Sequence, residues 1–149
     1  MTPTARTLTF LRQSGFQAAV VEKWLPHVNL RSDLWHFGDV IAAHPIRRQI
    51  LLVQVTTLNH VAHRLEKAKR QPELAGWLRA GGGFQVHGWY CRGSKWTCKI
   101  VEVHPEALAA VVLQSPGRRG RKPVQPDLFA GDLAGTVVNL PCHDAAEAG

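Results

Sequence analysis

The chain is short of cysteine, short of acid and without a long apolar run, and each shortage excludes something. Three cysteines in 149 residues are an odd number and too few for a disulfide framework, so a reducing, cytoplasmic setting is expected. No stretch approaches the roughly 18 consecutive apolar residues that cross a bilayer. The opening MTPTARTLTF also lacks the apolar core and small-residue cleavage site of a signal peptide, so no membrane partner is expected. Acids number 11 against 18 Lys and Arg, a formal charge of +7. That charge is uneven: up to Gln114 there are 14 basic and 7 acidic residues, and the remaining 35 residues hold 4 of each. A basic core favours a polyanion, because each phosphate neutralised by Lys or Arg releases a condensed counterion. Charge alone is equally compatible with a domain that is merely kept soluble.

What is present supports one globular domain, 1–114, followed by a tail, 115–149, at 45% hydrophobic residues overall. Thr4 can cap a first helix whose apolar face is Leu8, Phe10 and Leu11 and which ends at Gly15. Alternation over 16–24 predicts a strand with Phe16, Ala18, Val20 and Trp24 on one face. Glu22 then falls on that face, where it needs a metal, a lysine or an arginine, or else reaches solvent at the strand end. After a loop over 26–32, two apolar runs, 40–43 and 50–55, flank a turn containing Pro and Arg. Gly38 lets the backbone pass close to another element just before Asp39. Ile50, Leu52, Gln54 and Thr56 share one face of the second run and Leu51, Val53 and Val55 the other, as in a central strand covered on both sides. A carboxylate at the mouth of one buried strand and a carbonyl-bearing side chain on the next can bring two oxygen ligands over a divalent metal. A buried amide is costly when unpaired, so Gln54 is either satisfied by backbone or ligates something.

Further along, 59–70 reads as a helix with Val61, Leu65 and Ala68 buried. His60, Arg64 and Lys67 form a second stripe that can meet a phosphate or simply face solvent. A short helix starts at Pro72 and ends at the glycines 81–83, which follow a helix and so form no phosphate loop. Strands over 84–90 and 96–103, turning at Gly93 and Ser94, set Cys91 opposite Trp96 and Trp89 opposite Cys98. A zinc site with His87 and His104 is conceivable, but the spacing lacks a tight ligand pair and core packing is preferred. The diagonal cysteines do not favour a disulfide. A last helix is expected over 105–114.

The tail opens with the basic linker SPGRRGRKP, which cannot bury enough apolar surface to fold alone. QPDLF follows at 125–129, and a Leu-Phe pair outside a core suits insertion into a partner's apolar pocket. This pentapeptide resembles the motif by which bacterial DNA-processing proteins bind the replicative sliding clamp. The resemblance implies Gln125, Leu128 and Phe129 as anchors and Asp127 as a favoured filler; Pro126 departs from the common leucine.

The order helix, strand, strand with Gly38-Asp39, strand with Gln54-Val55-Thr56, helix and further strands resembles the PD-(D/E)XK nuclease superfamily. Within it, the nearest likeness is to small Holliday-junction-resolvase-like and Mrr-like endonucleases, often carried by phages. The resemblance implies an α/β, restriction-endonuclease-like core with a mixed central β-sheet flanked by helices. It also implies Mg²⁺ or Mn²⁺, hydrolysis of DNA phosphodiester bonds, roles in repair or recombination, and homodimers among the resolvases. Gly38-Asp39 stands where the Pro-Asp motif stands, and Gln54-Val55-Thr56 where the family has Glu-x-Lys. Asp39, Gln54, the Val55 carbonyl and Glu22 are then the implied metal ligands. Thr56 departs from the family's lysine, which handles the attacking water, and threonine cannot act as a cation. Lys67 or Arg64 is expected to supply that charge, with His60 and Arg31 adding to the DNA surface. The alternative is a degenerate nuclease fold that binds DNA and recruits the clamp without cutting; a zinc-stabilised DNA-binding module is a third.

Overall fold

The computed structural model describes residues 1–27, 30–106 and 136–140, with 25, 30, 31 and 136–140 described by backbone alone. It begins with α1 (Pro3–Gln13), capped by Thr2, whose side chain accepts from the Ala5 N–H, so the helix starts earlier than a Thr4 cap implies. The chain leaves it through Gly15 and forms β1 (Gln17–Val20), β2 (Lys23–Leu25) and β3 (Leu30–Ser32). The single strand expected over 16–24 is therefore two, broken at Val21 and Glu22. Its supposed apolar face is buried only at its start: Phe16 is in the core and Ala18 packs against it, but Val20 is 45% and Trp24 53% exposed. Alternation there reflects β1 lying at a sheet edge, where a side chain needs no core partner.

The two central runs are β4 (Val40–His44) and β5 (Gln49–Thr57), paired antiparallel across the Pro45 to Arg48 turn. A 3-10 turn (Leu58–His60), α2 (Val61–Lys69) and α3 (Pro72–Arg79) cross over to β6 (Gly83–Arg92), which pairs parallel with β5. β7 (Lys95–Val103) returns antiparallel, with Cys91 opposite Trp96 and Trp89 opposite Cys98 as expected. β8 (Thr136–Leu140) adds a last antiparallel strand to β7. This corrects the expectation that all of 115–149 lacks structure: TVVNL is rich in β-branched residues, and β7 offers it an open edge. The helix expected over 105–114 lies, beyond Glu106, outside the described residues, as do the linker and QPDLF.

The molecule is thus α/β, with a mixed sheet ordered β1-β4-β5-β6-β7-β8 and flanked by helices. On one face Leu52, Phe84, Val86, Val101 and Val103 pack under Val61, Leu65, Ala68, Leu74 and Leu78 of α2 and α3. On the other, Val40, Ala42, Leu51 and Val53 pack against Leu11 of α1 and Phe16. β5 is buried on both faces, which explains its nearly continuous apolar run. α1 is also fixed to β6 by Trp89, whose indole N–H donates to Thr7 Oγ1 at 2.8 Å. Trp89 packs with buried Cys98 and Ile100, while Cys91 is exposed, so the cysteines serve packing and surface separately. No helix among the described residues is long and apolar enough to cross a membrane.

Candidate active site

Asp39 lies immediately before β4, where the ladder between β4 and β5 gives out. Its backbone N–H still donates to the Val53 carbonyl at 3.0 Å, and its carbonyl accepts from the Val21 N–H at 2.9 Å. Beyond that point Val55 has no strand partner on this side, and the Asp39 side chain takes the partner's place. Oδ2 accepts from the Val55 N–H at 2.7 Å and from Gln54 Nε2 at 2.5 Å. Gly38 makes this approach possible: a Cβ there would stand 2.7 to 2.9 Å from the buried Leu52 side chain. Adjacent backbone N–H and C=O groups of one strand residue point the same way. Val55 therefore turns its carbonyl, like its N–H, toward the side that β4 has vacated.

Around this carboxylate Thr4, Glu22, Asp33, Gln54, Val55 and Arg64 line an open cleft of about 160 Å³. Glu22 and Asp33 are the residues just before β2 and just after β3, so a short hairpin springs from the cleft rim. Arg64 comes from α2 and Thr4 from the first turn of α1. Burial, with Asp33 and Glu22 adding negative charge, pushes the Asp39 carboxyl up to about 6 from an ordinary 3.8, against the Val55 and Gln54 hydrogen bonds that favour its charged form.

Of the residues the sequence singled out, Asp39, Gln54, Val55, Glu22 and Arg64 meet at this cleft. Thr56, Lys67 and His60 do not line it: Thr56 is half-buried opposite Gly88 on β6, Lys67 sits a turn past Arg64, and His60 is exposed. The Arg31 side chain and Gln125, Asp127, Leu128 and Phe129 lie outside the described residues. Asp33 and Thr4 were not anticipated. Asp33 had a weak signal, a second acid six residues before Asp39 across an aromatic turn; Thr4 had only its place in a helix start.

Whether these residues suit a divalent metal can be tested on Gln54. With Nε2 on Asp39, its Oε1 is buried without a hydrogen-bond partner, a costly state that a cation would relieve. Among the described residues no three His, Cys, Asp or Glu side chains stand close enough to hold a metal by themselves. The donors that fit are instead one carboxylate, one amide oxygen and one backbone carbonyl. That set suits Mg²⁺, which keeps several waters and commonly takes only one or two protein carboxylates. Comparison with models of protein families, with curated proteins and with solved structures found no match.

Proposed function

We propose that the chain is a metal-dependent endonuclease that hydrolyses DNA phosphodiester bonds at the Asp39 cleft, within a restriction-endonuclease-like variant of the α/β fold. The observation that carries this reading is the buried Asp39 carboxylate at the break in β4, with the unpaired Gln54 Oε1 and the Val55 carbonyl beside it. Asp39, Gln54 and the Val55 carbonyl would hold Mg²⁺ or Mn²⁺, with Glu22 at the rim. A divalent cation there supplies Lewis-acid polarisation of a phosphate and acidification of water. Arg64 holds the phosphate and offsets charge that develops on it. Glu22 and Asp33 draw cations in, and a bound cation offsets their repulsion of a phosphate in the cleft, while the basic surface outside it can hold DNA without metal. The basic excess of the first 114 residues steers the polyanion toward it. QPDLF would tether the enzyme to the replicative sliding clamp.

A second reading, a DNA-binding adaptor of the same fold that recruits the clamp without cutting, is favoured by one observation. The cationic side chain lining the cleft, among the described residues, is Arg64, which stays protonated and cannot take a proton from water; position 56 offers only a hydroxyl.

The two part at the metal. The nuclease reading expects Mg²⁺- or Mn²⁺-dependent cleavage of a four-way junction or duplex, heat on calorimetric titration of the metal, and loss of cleavage in Asp39→Asn with DNA binding retained. Cleavage that persists in that variant sinks the assignment. Metal-independent DNA binding without cleavage leaves the adaptor.

A further inference from the structure

We propose that Trp24 and Trp35, two exposed tryptophans each two residues along the chain from a residue that lines the cleft, form a stacking platform for an unpaired nucleobase. The preferred DNA is then single-stranded or branched beside the phosphate in the cleft. This deepens the nuclease reading and rests on it for the phosphate site.

The placement follows from the hairpin. Lys23 pairs with Ser32 at its base, directly beyond Glu22 and Asp33, which line the cleft. Trp24 is two residues beyond Glu22, and Trp35 two residues beyond Asp33. At ~3.3 Å per residue each indole is rooted within about 7 Å of a cleft residue. Trp24 is 53% and Trp35 39% exposed, whereas Trp77, Trp89 and Trp96 are buried or half-buried.

Trp35 is also held unusually. It and His36 both have left-handed backbone, φ 52° and 66°, which L side chains rarely adopt. The three-residue turn that carries them is closed by mutual hydrogen bonds between Leu34 and Gly38, both 2.9 Å. The Trp35 ring leans on Trp77 and Phe37, centroids 5.9 and 6.2 Å away, and Phe37 meets Phe84 edge-on in the core. Strain of this kind clusters where a side chain must be aimed, and a ring already fixed loses little freedom on stacking.

The surroundings select a base over an apolar protein surface. Exposed Lys23 and His36 stand next to the indoles in the chain, and the cleft whose lining residues Glu22 and Asp33 precede them is polar and carries Arg64. An aromatic face set among polar and cationic groups matches the flat base and charged backbone of a single strand. Bases inside a duplex are already stacked and cannot reach such a platform without being turned out.

The test titrates the full chain, at low salt and with chelator, with a short oligothymidylate and with a blunt duplex of equal length, following tryptophan emission. The expected result is quenching by the oligothymidylate and tighter binding of it than of the duplex. Trp24→Ala should lower oligothymidylate affinity about tenfold, erasing the preference, and Trp24→Phe should restore part of it. Trp35→Phe provides a second variant that keeps a ring against Trp77. Equal affinity for the two DNAs, or equal losses for both in Trp24→Ala, overturns the platform; the nuclease reading then stands or falls on Asp39→Asn cleavage alone. Absence of any DNA binding overturns both.

Discussion

Asp39 is a carboxylate that the fold holds at a cost, and the cost has a pH signature. Its folded value of about 6 lies above the ordinary 3.8, so the folded state binds the proton more tightly than the unfolded one. Stability through this group is therefore fully present below about pH 4, falls as pH rises toward about 6, and is level above that. At about 1.4 kcal/mol per unit the penalty at neutral pH is on the order of 3 kcal/mol. Asp39→Asn removes it. The introduced amide can keep both hydrogen bonds, its Oδ1 accepting from the Val55 N–H and from Gln54 Nε2. The metal-free variant should be more stable than the parent at pH 8 by about 1–3 kcal/mol, with the gap shrinking toward zero near pH 4. Urea unfolding of both proteins across that range checks it; a constant gap would mean that Asp39 titrates normally. A residue whose replacement stabilises the protein while ending cleavage is kept for function and not for folding.

At the scale of elements, α2 is seated on β6 through Gly88. A Cβ at that position would run into Val61 Cγ2, while the Leu58 Cα at 3.4 Å and the Lys99 carbonyl at 3.6 Å stay in ordinary contact, so Val61 is the group that must move. Val61 is in the first turn of α2, and Arg64 follows one turn later. Gly88→Ala should lift the helix, lower stability by about 1–3 kcal/mol and lower cleavage by shifting Arg64. Chemical denaturation and a cleavage assay measure the two effects, and a stability equal to the parent's would mean that α2 does not rest on this glycine. The elements around this contact were legible in the sequence: β4 and β5 are short apolar runs, α3 lies between Pro72 and the glycines 81–83, and Val61, Leu65 and Ala68 of α2 are buried as their spacing implies. The break after Val20 was not legible, because an edge strand keeps its alternation without burying it. Nor was β8, which pairs with a strand more than 30 residues earlier and carries no local mark of that partner. The site divided the same way. Asp39 and Gln54 were visible as polar residues in apolar strands, whereas Asp33 and Thr4 reach the cleft only through the path of the chain.

Over the whole molecule, β8 changes how the tail is to be understood. Thr136 pairs with Ile100 and Leu140 with Trp96, so the segment between Val103 and Thr136, which includes QPDLF, is tied to the sheet at both ends. A clamp held by that segment and a DNA strand held in the cleft would be bound together, the second contact becoming intramolecular once the first is made. The two contacts differ in physics. DNA binding by a basic surface weakens steeply with salt, by roughly 10³-fold between about 50 and 200 mM for six neutralised phosphates; an apolar Leu-Phe anchor responds little, since burial of apolar surface involves no counterion. Near 200 mM salt the chain should therefore stay on DNA loaded with the bacterial sliding clamp and leave DNA without it. Changing Leu128 and Phe129 together to Ala should abolish that retention, measured as dissociation from surface-bound DNA with and without clamp. If the clamp never slows dissociation of the unaltered chain, QPDLF is connecting sequence and the DNA cleft acts alone.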